Sequence, residues 1–218
     1  MAVERVVDFL GWDKFIYIGH SLGGHIGFYF GAIFNDRLIK LVVLDAVLVG
    51  LSADFCIQNL VRAYSSLKDI EERVEFGKPP EYPYKGAIQR LMEGRPDLIS
   101  EKAAKTLAKR SLVKYGNGFR FSMDQRLKAY HRGILSHEQN LELFDRIKCP
   151  VLHILMTETI QMNPEVREFK PVKALLEKNL GESYRYYVVE GYHSVHMDYP
   201  ERVRGLIMNF LANTKCQL

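Results

Sequence analysis

A serine set among glycines is the first feature of the sequence that could carry chemistry. An apolar run from Phe15 to Ile18 leads directly into the letters GHSLGG, whose serine is Ser21, and an apolar helical stretch follows. The pattern predicts a strand, a tight turn and a helix. A turn of this kind exposes a serine hydroxyl above a sheet and needs glycines because the chain passes close to itself. Ser21 is the predicted nucleophile, and the Leu22 amide at the helix N-terminus is a predicted oxyanion donor.

A serine hydroxyl needs a positioned base to take its proton, and a histidine late in the chain fits that role. His193 follows the apolar run Tyr184 to Val189 and precedes the last helical pattern. His196 lies three residues further on, and the pair has no third metal ligand at a recognisable spacing. We therefore predict His193 as the base and His196 as a packed or hydrogen-bonded neighbour. The other histidines are predicted to have structural or surface roles: His20, His25, His131, His137 and His153.

The elements that would position these residues alternate between strands and helices. Helical spacing of apolar residues predicts a first helix ended by Gly11, a helix ended by Gly181 and a last helix after Pro200. Continuous apolar runs are typical of buried parallel strands, and they occupy residues 15–18, 38–44, 150–155 and 184–189. This alternation predicts an α/β fold with a mostly parallel sheet.

The middle of the chain has a different character. Strand signals nearly vanish between Val49 and Lys148, and helical stretches take over at residues 60–76, at residues 100–113 and from Ser136, which begins a capping-box pattern. An insertion of about a hundred residues is too long for an ordinary connection between two strands. We therefore expect a separate helical segment inside the α/β fold.

Composition and charge limit the classes of protein that fit. The 218 residues are 47% hydrophobic and 26% charged, as in one soluble globular domain, and no window reaches the ~18 apolar residues of a membrane span. The net charge of +4 is intermixed, so no nucleic-acid partner is predicted. Three scattered cysteines suggest neither a disulfide framework nor a metal site, and no cofactor is predicted. Cytoplasm is the expected location, with the peroxisome as the alternative because the ending Cys216-Gln217-Leu218 loosely resembles a peroxisomal address.

Taken together, these segments resemble the α/β-hydrolase superfamily. The resemblance lies in the GHSLGG turn, the strand that ends at Asp45, the helical insertion and the letters VEGYHSVHMDYP at residues 189–200. The letters DQRL at residues 124–127 and the His193-to-His196 spacing are similar to serine hydrolase-like proteins related to the insect kraken proteins. The resemblance implies a hydrolase core at residues 1–48 and 149–218, with a helical cap at residues 49–148 that forms an apolar acyl pocket over Ser21.

The same resemblance implies hydrolysis of a carboxylic ester or a related small acyl substrate through an acyl-enzyme. It leaves the acid of the catalytic triad open. The usual position in the family follows the strand after the cap, where this chain has Glu158 within Met156-Thr157-Glu158-Thr159. Some members use the strand end that here carries Asp45. Both residues are therefore candidates.

The chain also departs from the superfamily pattern before Ser21. Family members place the nucleophile turn after the fifth strand, whereas one helix and one strand precede it here, so N-terminal strands are expected to be missing. The loop that completes the oxyanion hole would then be missing as well, and the strand that begins at Phe15 would lie at an exposed edge of the sheet. We therefore expect the 218-residue chain alone to be unstable or inactive, and the alternative function is that of a truncated or inactive hydrolase-fold protein with a binding role.

Overall fold

The structure is a computed structural model that describes residues 2–47, 53–77, 80–94, 99–129, 135–162 and 169–212. The chain forms two compact units. The core unit comprises Met1–Gly50 and Leu135–Leu218, and the helical unit comprises Leu51–Ile134. The ending Cys216-Gln217-Leu218, on which the peroxisomal alternative depends, lies outside the described residues. Within the described ranges, no helix combines the length and the apolar character needed to cross a membrane.

The core unit is built around a parallel sheet of four strands. The strands are β1 (Phe15–His20), β2 (Leu38–Leu44), β5 (Val151–Met156) and β6 (Tyr184–Val189), and they lie in the order β1-β2-β5-β6. The helices of this unit are α1 (Ala2–Phe9), α2 (Leu22–Ile33), α6 (His137–Phe144), α7 (Thr157–Met162), α8 (Lys170–Leu180), α9 (Val195–Asp198) and α10 (Glu201–Ala212). The predicted alternation of strands and helices is confirmed, and each strand delivers its carboxyl end to the same edge of the sheet.

The core between the sheet and α10 explains why the last helix has the clearest apolar pattern. Strand residues from β2 and β5 pack against α10 through a buried cluster: Val42, Leu44, Leu152, Ile154, Met156, Val195, Val203 and Phe210. Lys40 is the one charge inside the β2 run, and its ammonium donates to the carbonyls of Phe210 (2.5 Å) and Leu211 (3.1 Å) at the end of α10. A cation placed at a helix C-terminus satisfies carbonyls that have no partner within the helix.

β1 lies at the edge of the sheet, in the part of the chain that the structure describes. Its side chains alternate between the two faces: Phe15 is buried, whereas Ile16 and Ile18 are 42% and 51% exposed. The Phe15 ring meets the Phe30 ring of α2 with their centroids 5.5 Å apart, edge to face. β1 is therefore covered on the α2 side and open to solvent on the other.

The helical unit contains α3 (Ala53–Phe76), α4 (Tyr84–Glu93), α5 (Glu101–Ser111) and a 3₁₀-helix (Gln125–Ala129). It also contains an antiparallel hairpin of β3 (Leu112–Tyr115) and β4 (Gly118–Phe121), where the sequence suggested only helix. A two-residue turn joins the strands, with Gly116 at a φ of 58°, which favours glycine. The expectation that strands are nearly absent from this segment is therefore wrong at residues 112–121.

α6 packs inside the core unit, against α2 and α8, although sequence analysis places it in the insertion. Its predicted capping box is confirmed: the Gln139 amide donates to Ser136 Oγ, and Gln139 Oε1 accepts from the Ser136 amide. Phe144 is fully buried, with its ring 5.7 Å from that of Phe28. The Tyr29 hydroxyl donates to Asn140 Oδ1 at 2.9 Å. These contacts with α2 explain why the segment from Leu135 belongs to the core unit.

Candidate active site

The turn at Ser21 holds the serine in a strained conformation. Its φ of 53° and ψ of −119° lie in a region that L-residues rarely adopt. Glycines make the turn feasible: a Cβ on Gly19 would come within 2.4 Å of the Gly23 carbonyl, and a Cβ on Gly24 within 2.7 Å of Ala46 Cβ. The sequence prediction of a tight strand-turn-helix at this serine is confirmed in its geometry.

Ser21 occupies the N-cap position of α2, yet its side chain accepts no capping hydrogen bond. Serine at an N-cap ordinarily accepts from an amide of the first helical turn. The Ser21 hydroxyl makes no hydrogen bond within the described residues, and the Ser21 amide donates to the Leu44 carbonyl at 2.9 Å. Leu22, the first residue of α2, belongs to the turn whose amides lack partners within the helix. The turn is therefore anchored through its backbone, and the hydroxyl is not engaged in holding it.

Asp45, at the end of β2, lies against His193. The distance from Asp45 Oδ2 to His193 Nδ1 is 2.6 Å, and the Asp45 side chain has no exposed surface. Oδ1 accepts from the Met156 amide at 2.8 Å, and Oδ2 also accepts from Thr159 Oγ1 at 2.5 Å. Three donors converge on one buried carboxyl group, an arrangement that suits a negatively charged acceptor. Asp45 itself has a φ of 47°, so this strand end is also strained.

Glu158 takes a different place. Its side chain is exposed, and its backbone amide, rather than its carboxylate, joins the site by donating to the Gly191 carbonyl at 3.1 Å. Of the two candidate acids, the structure brings Asp45 to His193 and leaves Glu158 exposed. Sequence analysis did not single out Thr159, although it lies next to Glu158 in the segment where an acid was sought.

The loop that carries His193 is fastened to the end of β5. The Gly191 amide donates to Thr157 Oγ1 at 3.1 Å, and Gly191 has a φ of 139° with Val195 too close for a Cβ. The His193 side chain is 25% exposed. The ring is therefore held at Nδ1 by Asp45 while part of it remains open to an incoming molecule.

His20 packs between the two histidines of that loop. Its ring centroid lies 4.5 Å from that of His193 and 4.2 Å from that of His196. Burial, reinforced by the charges that His196 and His193 would carry, lowers the pKa of His20 to about 4. As a neutral ring, His20 donates from Nε2 to the His193 carbonyl at 2.9 Å. His196 therefore packs against His20, and His20 holds the backbone of the loop at His193.

Two further histidines hold the chain just after Asp45. His153 Nε2 donates to the Ala46 carbonyl at 2.9 Å, and His25 Nε2 donates to the Val47 carbonyl at 3.0 Å. His153 is fully buried, which lowers its pKa to about 4, and its Nδ1 lies 3.3 Å from the Tyr184 hydroxyl. These two rings fix the backbone next to the strained strand end at Asp45. In the sequence, their only signal is their position in apolar elements.

Within the described ranges, no group of three His, Cys, Asp or Glu side chains could hold a metal ion. The groups gathered at the carboxyl ends of the strands are instead a hydroxyl, an imidazole and a carboxyl. They come from the ends of β1, β6 and β2 in turn. This is the edge at which open α/β sheets bind ligands.

Comparison with known proteins agrees with this architecture. The family model described as the alpha/beta hydrolase fold matches residues 2–71. A crystal structure of a hypothetical protein from Pseudomonas aeruginosa superposes with a TM-score of 0.73 at 25% identity, covering 97% of this chain and 71% of that one. The chain has the α/β-hydrolase fold, and the family match and the relatives support its membership of that superfamily.

Two curated relatives narrow the comparison. The chain is similar to serine hydrolase-like protein 2 of Homo sapiens, at 29% identity over 97% of this chain and 69% of the relative. It is also similar to a probable serine hydrolase of Drosophila melanogaster, at 29% identity over 96% of this chain and 63% of the relative. The chain therefore spans about two thirds of the length of these relatives, and its fold and relatives are of the hydrolase type.

Proposed function

We propose that the protein is a serine hydrolase of the esterase type, with Ser21 as nucleophile, His193 as base and Asp45 as acid. The observation that carries the proposal is the 2.6 Å contact between Asp45 Oδ2 and His193 Nδ1 at the same sheet edge as the strained Ser21 turn. A buried carboxyl group fixes the imidazole in the tautomer whose Nε2 can accept a proton. Asp45 is preferred to Glu158 because the Glu158 side chain is exposed.

In this mechanism Ser21 Oγ attacks the carbonyl carbon of an acyl substrate while His193 Nε2 takes the hydroxyl proton. Asp45 stabilises the imidazolium that forms. The imidazolium then gives its proton to the leaving group, and an acyl-enzyme on Ser21 remains. Water, activated by the same histidine, attacks the acyl carbon and releases the acid and the free serine. No cofactor or metal takes part in these steps.

The oxyanion of the tetrahedral intermediate would meet the Leu22 amide. That amide lies at the N-terminus of α2, where unpaired N–H groups and the helix dipole favour negative charge. Ser21 Oγ is not hydrogen-bonded in the described part of the chain, and catalytic hydrogen bonds are often long before substrate binds. The proposed Ser21-to-His193 contact would therefore close in the substrate complex.

The proposed substrate is a carboxylic ester or a related small acyl compound. Nitrophenyl esters of increasing acyl length, assayed with the protein at its natural length, test the proposal. We expect turnover that Ser21→Ala abolishes and that Ser66→Ala, at an exposed serine of α3, leaves unchanged. Equal turnover by Ser21→Ala would refute it. A folded protein without turnover on any ester would favour the alternative, an inactive hydrolase-fold protein that binds ligands.

A further inference from the structure

Thr159 makes a contact that the proposed mechanism does not use. Its Oγ1 donates to Asp45 Oδ2 at 2.5 Å, and the same oxygen accepts from His193 Nδ1 at 2.6 Å. The other carboxyl oxygen, Oδ1, accepts from the Met156 amide at 2.8 Å. Thr159 is thus the side-chain donor that shares the oxygen facing the histidine.

These contacts determine how the carboxyl group is oriented. The Asp45 side chain has no exposed surface, so bulk water cannot substitute for a lost donor. With the Met156 amide on one oxygen and Thr159 on the other, rotation of the carboxyl plane would break both bonds. Each carboxylate oxygen accepts a strong hydrogen bond only when its donor is aligned with it. Thr159 therefore fixes the plane in which Oδ2 meets His193.

The local sequence explains why a threonine reaches this place. α7 begins at Thr157, directly where β5 ends, and its first turn contains two threonines with Glu158 between them. Thr157 Oγ1 accepts from the Gly191 amide and so holds the histidine loop. Thr159 holds the acid, while Glu158 faces solvent. The segment that follows β5 thus supplies two hydroxyl groups, one that positions the loop and one that positions Asp45.

We propose that Thr159 is a positioning residue that aligns Asp45 with His193, an inference that rests on the proposed function. The Thr159 hydroxyl donates to Asp45, and Asp45 in turn contacts His193 Nδ1. It acts through the orientation of the carboxyl group and therefore through the protonation and aim of the imidazole. Its loss should lower kcat, because misalignment of the acid and base weakens transition-state stabilisation, and should leave KM unchanged.

Two substitutions separate positioning from packing. Thr159→Val keeps the shape and removes the donor, whereas Thr159→Ser keeps the donor and removes a methyl group. We expect Thr159→Val to lower kcat about tenfold, the loss typical of a hydrogen bond to a charged group. Thr159→Ser should restore most of kcat. Thr106→Val, at an exposed threonine of α5, is the matched control and should change neither constant.

A second readout does not depend on turnover. The proton between His193 Nδ1 and Asp45 gives a downfield resonance in proton NMR spectra, assigned by its absence in His193→Gln. We expect that resonance to shift or broaden in Thr159→Val and to return in Thr159→Ser. Wild-type kcat with an unchanged resonance in Thr159→Val would overturn the inference, and so would a loss of kcat and melting temperature that Thr159→Ser does not restore. If the wild-type protein hydrolyses no ester, the proposed function fails, and the resonance alone decides whether Thr159 orients the pair.

Discussion

Replacing Asp45 with asparagine should stop catalysis while leaving the fold largely intact. Asp45 accepts from three donors, His193 Nδ1, the Met156 amide and Thr159 Oγ1, and asparagine offers one oxygen in place of two. If that oxygen stays on the Met156 amide, the new NH₂ group faces His193 Nδ1. The ring must then carry its proton on Nε2, where it cannot accept one from Ser21. In the opposite orientation, the NH₂ group of asparagine faces the Met156 amide, and both groups are donors.

The magnitude follows from this geometry. A histidine held in the wrong tautomer costs about 10⁴-fold in kcat, or about 5.5 kcal/mol of activation free energy. One buried donor without an acceptor costs about 1–3 kcal/mol of unfolding free energy. Asp45→Asn should therefore melt earlier but still cooperatively, and it should lose nearly all turnover at saturating substrate.

The assay compares kcat and melting temperature for wild type, Asp45→Asn and Glu158→Gln on one nitrophenyl ester. Glu158→Gln is the matched control because the same chemical change falls on an exposed side chain. We expect its kcat to match wild type. Near wild-type kcat in Asp45→Asn, combined with a large loss in Glu158→Gln, would refute the assignment of Asp45 as the acid.

Three further predictions follow from the neighbouring contacts. His20→Phe keeps a ring but removes the donor to the His193 carbonyl, so kcat for ester turnover should fall about fivefold. His20→Gln keeps a donor, so its kcat should fall less. Burial lowers the pKa of His153 from 6.5 to about 4, so the unfolded chain binds its proton first as pH falls. Stability should decrease between pH 6.5 and 4 by up to about 3 kcal/mol, and urea unfolding of His153→Gln should show a smaller decrease. Gly19→Ala should cost about 2–3 kcal/mol of unfolding free energy by overpacking, whereas Gly23→Ala, where a Cβ meets nothing within 4 Å, should melt near wild type.

The elements around Ser21 could be predicted because their signals are local. Continuous apolar runs predict β2 and β6 at the bounds that the structure shows, and the glycines around Ser21 predict its turn. The position of His193 in a loop between a late strand and the last helix is also a short-range feature that the sequence shows. These predictions required no knowledge of which strands are neighbours.

The acid could not be chosen from sequence because the choice depends on contacts between distant segments. Asp45 and Glu158 both follow apolar strands, and 148 positions separate Asp45 from His193. Which carboxylate faces the imidazole is decided by side-chain direction at the strand ends. Thr159 was missed for the same reason, because the partner of a hydroxyl group is evident only in three dimensions.

The helical unit shows a different limit. Leu112 and Val113 continue the apolar spacing of α5, so the sequence predicts a longer helix where the hairpin begins. Its turn residues, Gly116 and Asn117, were the available signal. α6 shows another limit: its cap is evident from the sequence, but its place in the core unit depends on the burial of Phe144.

The central claim is that Ser21 is a nucleophile activated by His193, and covalent labelling tests it most directly. A fluorophosphonate, which reacts with activated serine hydroxyls, is added to the natural-length protein, and the modified peptide is located by mass spectrometry. The account predicts one adduct, on the peptide that contains Ser21, that is absent in Ser21→Ala and strongly reduced in His193→Gln. Labelling of Ser21→Ala equal to that of wild type, or an adduct on another residue, would contradict it.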